Sequence, residues 1–329
     1  LGKRTNNQKT TMEEFIYTAD KLKEQLMHMR SHGMKRGEYP GFAGLFDKYS
    51  LKRGSTTYVY AGAHQGKSQF VFEIMMNLSQ FSGWKWAVYS PETGSPADLF
   101  AELCWVYLRK PFILNDRITA SDAEAERAIE FVSSHFYIID YGLRDMTIEG
   151  FYSAVESIEK KGIKIDGCVL DPFTEIKTDV SSGVRDDIAI GQILTRIRKH
   201  SSERDYHTIV TVHTKHQQTK YKNGVGYVDI PSMNDIAGGM QWSRKGMMIV
   251  NVWRCPYGLE DENGIPYEPN QVKISIVKAK PKIVGNLGYV YMYYDRITNR
   301  YYEMREGQKY YSAEQDNERP EPKQQTLDV

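Results

Sequence analysis

The sequence predicts an α/β fold, a mostly parallel twisted sheet flanked by helices, with antiparallel strands added near the C-terminus. Three observations predict it. Short apolar runs alternate with helix-period segments from residue 56 to residue 213, the pattern of a parallel sheet covered on both faces. A glycine-containing loop follows the first of these runs and opens a helix. Beyond residue 246 strand-like runs follow one another without intervening helices, which suits antiparallel neighbours.

Taken in order, residues 1–11 are polar and are expected to be disordered. Residues 12–30 read as an amphipathic helix, with Phe15, Ile16, Leu22, Leu26 and Met29 on one side. A loop with Gly33, Gly37 and Pro40 sets this helix apart. Its apolar stripe must be covered, either by its own domain or by a neighbouring subunit. Residues 1–40 are therefore treated as a separate segment, a disordered start and a linker helix. The core, 41–303, begins with a strand at 56–61 and a helix at 66–80. A strand at 85–90 and a helix at 95–109 follow. Ser121 with Glu124 three residues on forms a capping box that opens the next helix. Strands are then expected at 136–140, 167–171 and 208–213, with helices at 147–161 and 186–202. The late strands are 247–253, 271–278 and 288–295. No internal repeat is present. Residues 304–329, rich in Gln, Glu, Lys and Pro, read as a disordered tail.

Composition narrows the function classes. Hydrophobic residues make up 40% and charged residues 26%, an ordinary globular balance. No window approaches the roughly 20 apolar residues of a membrane span, and no apolar targeting segment opens the sequence. Cys104, Cys168 and Cys255 are far apart and form no C-x-x-C pair. That argues against a zinc site or a disulfide framework and suits a reducing cytosol. A net charge of +1 neither requires nor excludes a nucleic-acid partner. What matters is where positive charge clusters.

The chemistry begins at Ala61-Gly62-Ala63-His64-Gln65-Gly66-Lys67-Ser68-Gln69. This run matches G-x-x-x-x-G-K-[ST] except that Ala61 replaces the first glycine. Gly66 lets backbone N–H groups face the phosphates of ATP, Lys67 sets an ammonium against the γ-phosphate, and Ser68 offers a hydroxyl to Mg²⁺. The helix N-terminus adds its dipole. Asp171 ends the short apolar strand 167–171, at the edge where α/β sheets bind ligands, and can hold the Mg²⁺ water shell. Glu92, after the strand 85–90, can polarise the attacking water. Glu175 is its rival, although Pro172 rather than an acid follows Asp171 directly. His213 ends the next apolar strand, either as a cap or as a contact for the γ-phosphate.

These residues resemble the DnaB-like, superfamily-four replicative helicases, most closely the Twinkle, phage primase-helicase and TOPRIM-helicase branch. The resemblance rests on 61–68, Ser90-Pro91-Glu92, 165–175, Val212-His213-Thr214-Lys215, 234–239 and Val277-Lys278-Ala279-Lys280. Their order and spacing match over residues 12–302, and such an ordered set is far more specific than any one motif. The resemblance implies a RecA-like P-loop ATPase fold, a hexameric ring and ATP sites between subunits. It makes Glu92 the catalytic carboxylate and His213 the sensor, and it makes the first helix the linker that docks on the next subunit. Arg254 and a tyrosine of Tyr293-Tyr294, here Tyr294, match positions that contact the nucleotide base. The resemblance places any primase-like activity on another chain or on a removed segment, and it allows a primase or polymerase as a partner. One departure stands out. Where the family has K-x-R, this chain has Lys278-Ala279-Lys280, so Lys280, or nearby Lys282, replaces an arginine finger and loses its planar fork.

Between His213 and Asp235 lies a basic, turn-prone run, 214–224. In a ring, Lys215, Lys220, Lys222 and Asn223 would grip phosphates of single-stranded DNA, together with the backbone of 235–239 at Gly238. The residues alone equally describe a solvated surface loop. Three function classes stay open at this point: a ring-forming DNA helicase, a RecA- or RadA-like recombinase that forms filaments on DNA, and an ATPase regulator with no DNA role.

Overall fold

A computed structural model of the chain describes residues 16–113, 118–140, 142, 144–177 and 184–312. These fall into two compact units, 16–35 and 36–312. The first unit is a single helix, α1 (Lys23–His32), which buries none of its residues. It starts later than the apolar stripe suggests, because the Lys21 amide donates to the Thr18 hydroxyl and the Leu22 amide to the Ala19 carbonyl in a preceding turn. The expected helical residues 12–15 lie outside the described residues, as do 1–11.

The second unit is built on one large sheet. Its parallel part contains β1 (Thr56–Ala61), β2 (Trp86–Tyr89), β3 (Phe136–Ile138), β4 (Gly167–Leu170), β5 (His207–His213) and β8 (Met248–Arg254). A small separate hairpin, β6 (Lys220–Lys222) and β7 (Val225–Tyr227), stands between the last two of these. Antiparallel strands β9 (Gln271–Ala279), β10 (Gly288–Asp295), β11 (Arg300–Arg305) and β12 (Gln308–Tyr310) extend one side. The order across the sheet is β12-β11-β10-β9-β8-β1-β5-β4-β2-β3. This is the expected fold class, and most predicted elements fall within a few residues of their predicted bounds.

Helices cover both faces. On one face, α2 (Lys67–Ser82), α3 (Pro96–Leu108) and α4 (Asp122–His135) pack with Leu45 and Leu51 against Val59, Val88 and Val250. On the other, α5 (Ile148–Glu159), α6 (Asp186–Arg204) and α7 (Gly239–Lys245) pack against Tyr58, Leu170 and Val210. The capping box holds: the Ser121 amide donates to Glu124 Oε2 at 2.8 Å. Gly167 lets β4 close up on its neighbour, since a Cβ there would lie 2.2 Å from the Trp86 ring.

The predicted disordered tail needs correction at its start. β11 continues to Arg305 and β12 adds 308–310, so pairing runs past residue 303. The reason is a buried charge. Arg300 donates to Glu73 Oε2 and Oε1 at 2.6 and 2.7 Å and to Asn77 Oδ1 at 2.7 Å. Arg300 and Glu73 are almost wholly buried, and a guanidinium withdrawn from water requires such a partner. Residues 313–329 lie outside the described residues.

Candidate active site

The carboxyl ends of four adjacent parallel strands bring the site together. In register, Ala61 of β1 lies beside His213 of β5, Leu170 of β4 beside Val210 of β5, and Tyr89 of β2 beside Leu170. The phosphate-loop residues, Glu92, Asp171 and His213 each stand at or just past one of these ends. The loop after β1 carries 62–66, the turn after β2 carries Glu92, Asp171 follows β4, and His213 closes β5.

The loop has the backbone that the motif requires. Gly66 is the N-cap of α2 at φ 93° and His64 has φ 58°. Ala63 and His64 are exposed, while Gln65, Ser68 and Gln69 are half-buried. Lys67 is buried, and its Nζ lies 3.6 Å from Asp171 Oδ1 and 3.8 Å from Glu92 Oε2. Asp171, 1% exposed, accepts hydrogen bonds from Ser68 Oγ at 3.2 Å and Ser90 Oγ at 3.1 Å, and from the Thr211 hydroxyl. Ser90 also bonds Thr93 Oγ1 at 2.8 Å across the 3₁₀ turn Pro91–Thr93. One serine therefore links Asp171 to the turn that holds Glu92. His213 Nε2 lies 3.2 Å from Glu92 Oε2.

Glu175 faces elsewhere. It ends the 3₁₀ turn Phe173–Glu175, and its carboxylate, after burial, helps raise the Tyr89 hydroxyl above its ordinary value. Among the described residues it forms no hydrogen bond or ion pair with Lys67, Asp171 or His213.

The donor set fits Mg²⁺ delivered with a nucleotide. Ser68 Oγ and Asp171 Oδ1 supply hard oxygens side by side, and Mg²⁺ takes few protein ligands when phosphates and water complete its shell. No cluster of His, Cys, Asp or Glu among the described residues would hold a metal unaided.

The residues expected at the nucleotide base are also partly brought together. The Arg254 amide donates to Gln65 Oε1 at 2.7 Å, and the Arg254 charge acts on the hydroxyls of Tyr294 and Tyr301. Tyr294 packs on Tyr301 with ring centroids 5.3 Å apart. Tyr293, its neighbour, stacks instead on Tyr302. Lys280 is not brought to this site. Ala279 pairs with Met248, at the start of β8, so Lys280 and Lys282 stand at the opposite edge of the sheet.

The basic run is more ordered than its composition suggests. Thr214 bridges to Ile236 and the Lys215 amide donates to the Asp235 carbonyl at 2.7 Å, closing the base of the excursion. Above it β6 and β7 form a hairpin turned by Asn223 and Gly224, at φ 53° and 77°. Lys220 is paired with Asp229. Gly238, at φ 75°, caps α7. The Asn-Gly dipeptide is a strong hairpin signal that could have revealed these strands. Sequence reasoning also missed Ser90 and Thr211 as partners of Asp171. Their only signal is position, at or near the ends of strands beside β4.

This arrangement has close structural counterparts. The solved ATPase domain of G40P superposes with a TM-score of 0.68 at 18% identity, covering 88% of this chain and all of that one. A DnaB-like replicative helicase, solved in work on its interactions with primase, gives 0.68 at 17% identity, covering 88% of this chain and 67% of that one. The chain has a DnaB-like helicase fold. In sequence, this chain is 27% identical over 278 residues to a Twinkle homolog protein, chloroplastic/mitochondrial, of Arabidopsis thaliana. That alignment takes in 83% of this chain but only 37% of the relative. No family model matches the chain. The relatives agree with the DnaB-like and Twinkle resemblance read from the motifs.

Proposed function

We propose that this chain is the motor domain of a replicative DNA helicase, which hydrolyses ATP between subunits of a ring and moves along single-stranded DNA. The convergence of Lys67, Glu92, Asp171 and His213 at one sheet edge carries this reading. Lys67 and the amides around Gly66 bind the phosphates. Ser68 and Asp171 would hold Mg²⁺, which when bound offsets charge on the phosphate oxygens. Glu92 orients the attacking water and accepts its proton. His213, bonded to Glu92, senses the γ-phosphate. Arg254 and Tyr294 flank the base.

The partners follow from position. The β6–β7 hairpin rises from the same edge as the phosphate loop, with Lys215, Lys222 and Asn223 available to phosphates of a single strand. The Lys220–Asp229 pair is half-exposed on both sides, so a phosphate can displace it at little cost. Helix α1 buries none of its residues and leaves Leu26 and Met27 exposed, which suits docking on another copy in a hexamer. A primase or polymerase partner belongs to the same reading, since one structural relative was solved in work on its interactions with primase. The buried free cysteines fit a reducing bacterial or phage-infected cytoplasm, and no helix among the described residues is long and apolar enough to cross a membrane.

The test is hydrolysis of ATP with and without single-stranded DNA, alongside electron microscopy of the complex. Stimulation by DNA together with closed rings is expected. Hydrolysis indifferent to DNA removes the motor reading, and open filaments on DNA would turn it into a recombinase.

A further inference from the structure

The antiparallel extension of the sheet reaches the phosphate loop through one side chain. Tyr301 in β11 donates its hydroxyl to the Gly66 carbonyl at 3.1 Å. The same carbonyl accepts the Phe70 amide at 3.0 Å, the first bond of α2. Both lone pairs of that oxygen are therefore engaged. In a trans peptide the carbonyl and the following N–H point in opposite directions. Holding the Gly66 carbonyl toward β11 and α2 thus turns the Lys67 N–H into the concave side of the loop, where phosphate oxygens bind.

Tyr301 is itself firmly placed. It is 1% exposed, and its own amide donates to Glu73 Oε2 at 3.1 Å. Its ring meets Phe70 edge-on at 5.9 Å and Tyr294 at 5.3 Å. The adjacent Arg300 grips Glu73 from the same strand. Burial raises the Tyr301 hydroxyl far above its ordinary value, so it remains a donor throughout the working pH range. Gly66 fits this contact closely, because a Cβ there would stand 2.8 Å from the Tyr301 oxygen.

We propose that Tyr301 is a positioning residue for ATP hydrolysis: through the Gly66 carbonyl it fixes the peptide that presents the Lys67 amide to the triphosphate. Its ring also joins that peptide to Tyr294 on the base side, so the base pocket and the phosphate loop share one support. The inference rests on the nucleotide site proposed above.

The test is Tyr301→Phe in the full chain, which keeps the ring packing and removes only the hydroxyl. Affinity is measured for ATP with Mg²⁺ and for inorganic tripolyphosphate with Mg²⁺, by displacement of a fluorescent ATP analogue. The variant is expected to lose roughly three- to tenfold for both ligands, by the same factor, as one lost neutral hydrogen bond implies. Tyr294→Ala, in contrast, is expected to weaken ATP far more than tripolyphosphate. Unchanged tripolyphosphate affinity in Tyr301→Phe overturns the inference, and so does a loss confined to ATP, which would make Tyr301 a wall of the base pocket. If the unaltered chain binds neither ligand, the nucleotide site itself falls. If it binds both and Tyr301→Phe matches it, only the role of Tyr301 falls.

Discussion

Two carboxylates compete for one role, and their neighbours separate them. Glu92 Oε2 stands 3.8 Å from the Lys67 ammonium and 3.2 Å from His213 Nε2. Glu175 instead lies on the side of the Tyr89 hydroxyl. In the proposed site a base for water must reach the γ-phosphate, and Lys67 would mark where that phosphate goes. Glu92→Gln is therefore expected to keep nucleotide binding and to slow hydrolysis by about 10²–10⁴-fold. Lys67→Ala is expected to lose binding, because its ammonium contacts the ground-state phosphates. Glu175→Gln is expected to hydrolyse within a few-fold of the unaltered chain. Binding of a fluorescent analogue and phosphate release, measured separately on each variant, give the answer. Normal turnover in Glu92→Gln with loss in Glu175→Gln reverses the assignment.

Elements differ in how plainly the sequence declares them. β1 begins and ends where its run is expected, because a central strand covered on both faces is buried along its whole length. The phosphate loop, Asp171 and Glu92 were legible for the same reason, each lying past the end of such a run. β11 was not, since the charged Arg300 and Glu303 interrupt its run of apolar residues. Their burial depends on Glu73 and on the amides of Ala43 and Gly44, remote in sequence. The hairpin was overlooked because its strands are exposed and carry no apolar period. β5 hides a further polar element at its start. His207 is fully buried, donates from Nδ1 to the Lys52 carbonyl at 2.8 Å, and accepts at Nε2 from Thr57 Oγ1 at 3.0 Å. Burial lowers its pKa from 6.5 to about 4. The unfolded chain therefore takes up a proton below pH 6.5 that the folded chain refuses until about pH 4. Stability falls with acid through that window, by about 3 kcal/mol in full, and is unaffected by this group above it. Urea unfolding at a series of pH values should show the slope, and His207→Gln should flatten it even if the variant is less stable throughout. An equal slope in His207→Gln would assign the acid sensitivity to other groups.

On the scale of the molecule, Lys280 lies too far from the phosphate loop of its own chain to serve it. Lys280 follows β9, whose last residue, Ala279, pairs with Met248, which in turn lies beside Thr57. The phosphate loop begins beyond Ala61, four residues along the same strand. At 3.3 Å per residue the sheet alone separates the two by about 13 Å, farther than a lysine side chain spans from that edge. A lysine acting on the γ-phosphate must then come from another copy, which is what a head-to-tail ring provides. This makes a mixing experiment decisive. Lys280→Ala and Glu92→Gln chains should each bind ATP and hydrolyse it poorly on their own. Mixed in equal amounts and allowed to reassemble, they should recover activity. An interface is intact only where the Lys280→Ala copy supplies Glu92 and the Glu92→Gln copy supplies Lys280. Random assembly makes about a quarter of the interfaces in a head-to-tail ring of this kind. Phosphate release by the mixture, compared with the sum of the separate chains, reads the result. No recovery on mixing would mean that Lys280 does not act between subunits, and normal hydrolysis by Lys280→Ala alone would pass the role to Lys282.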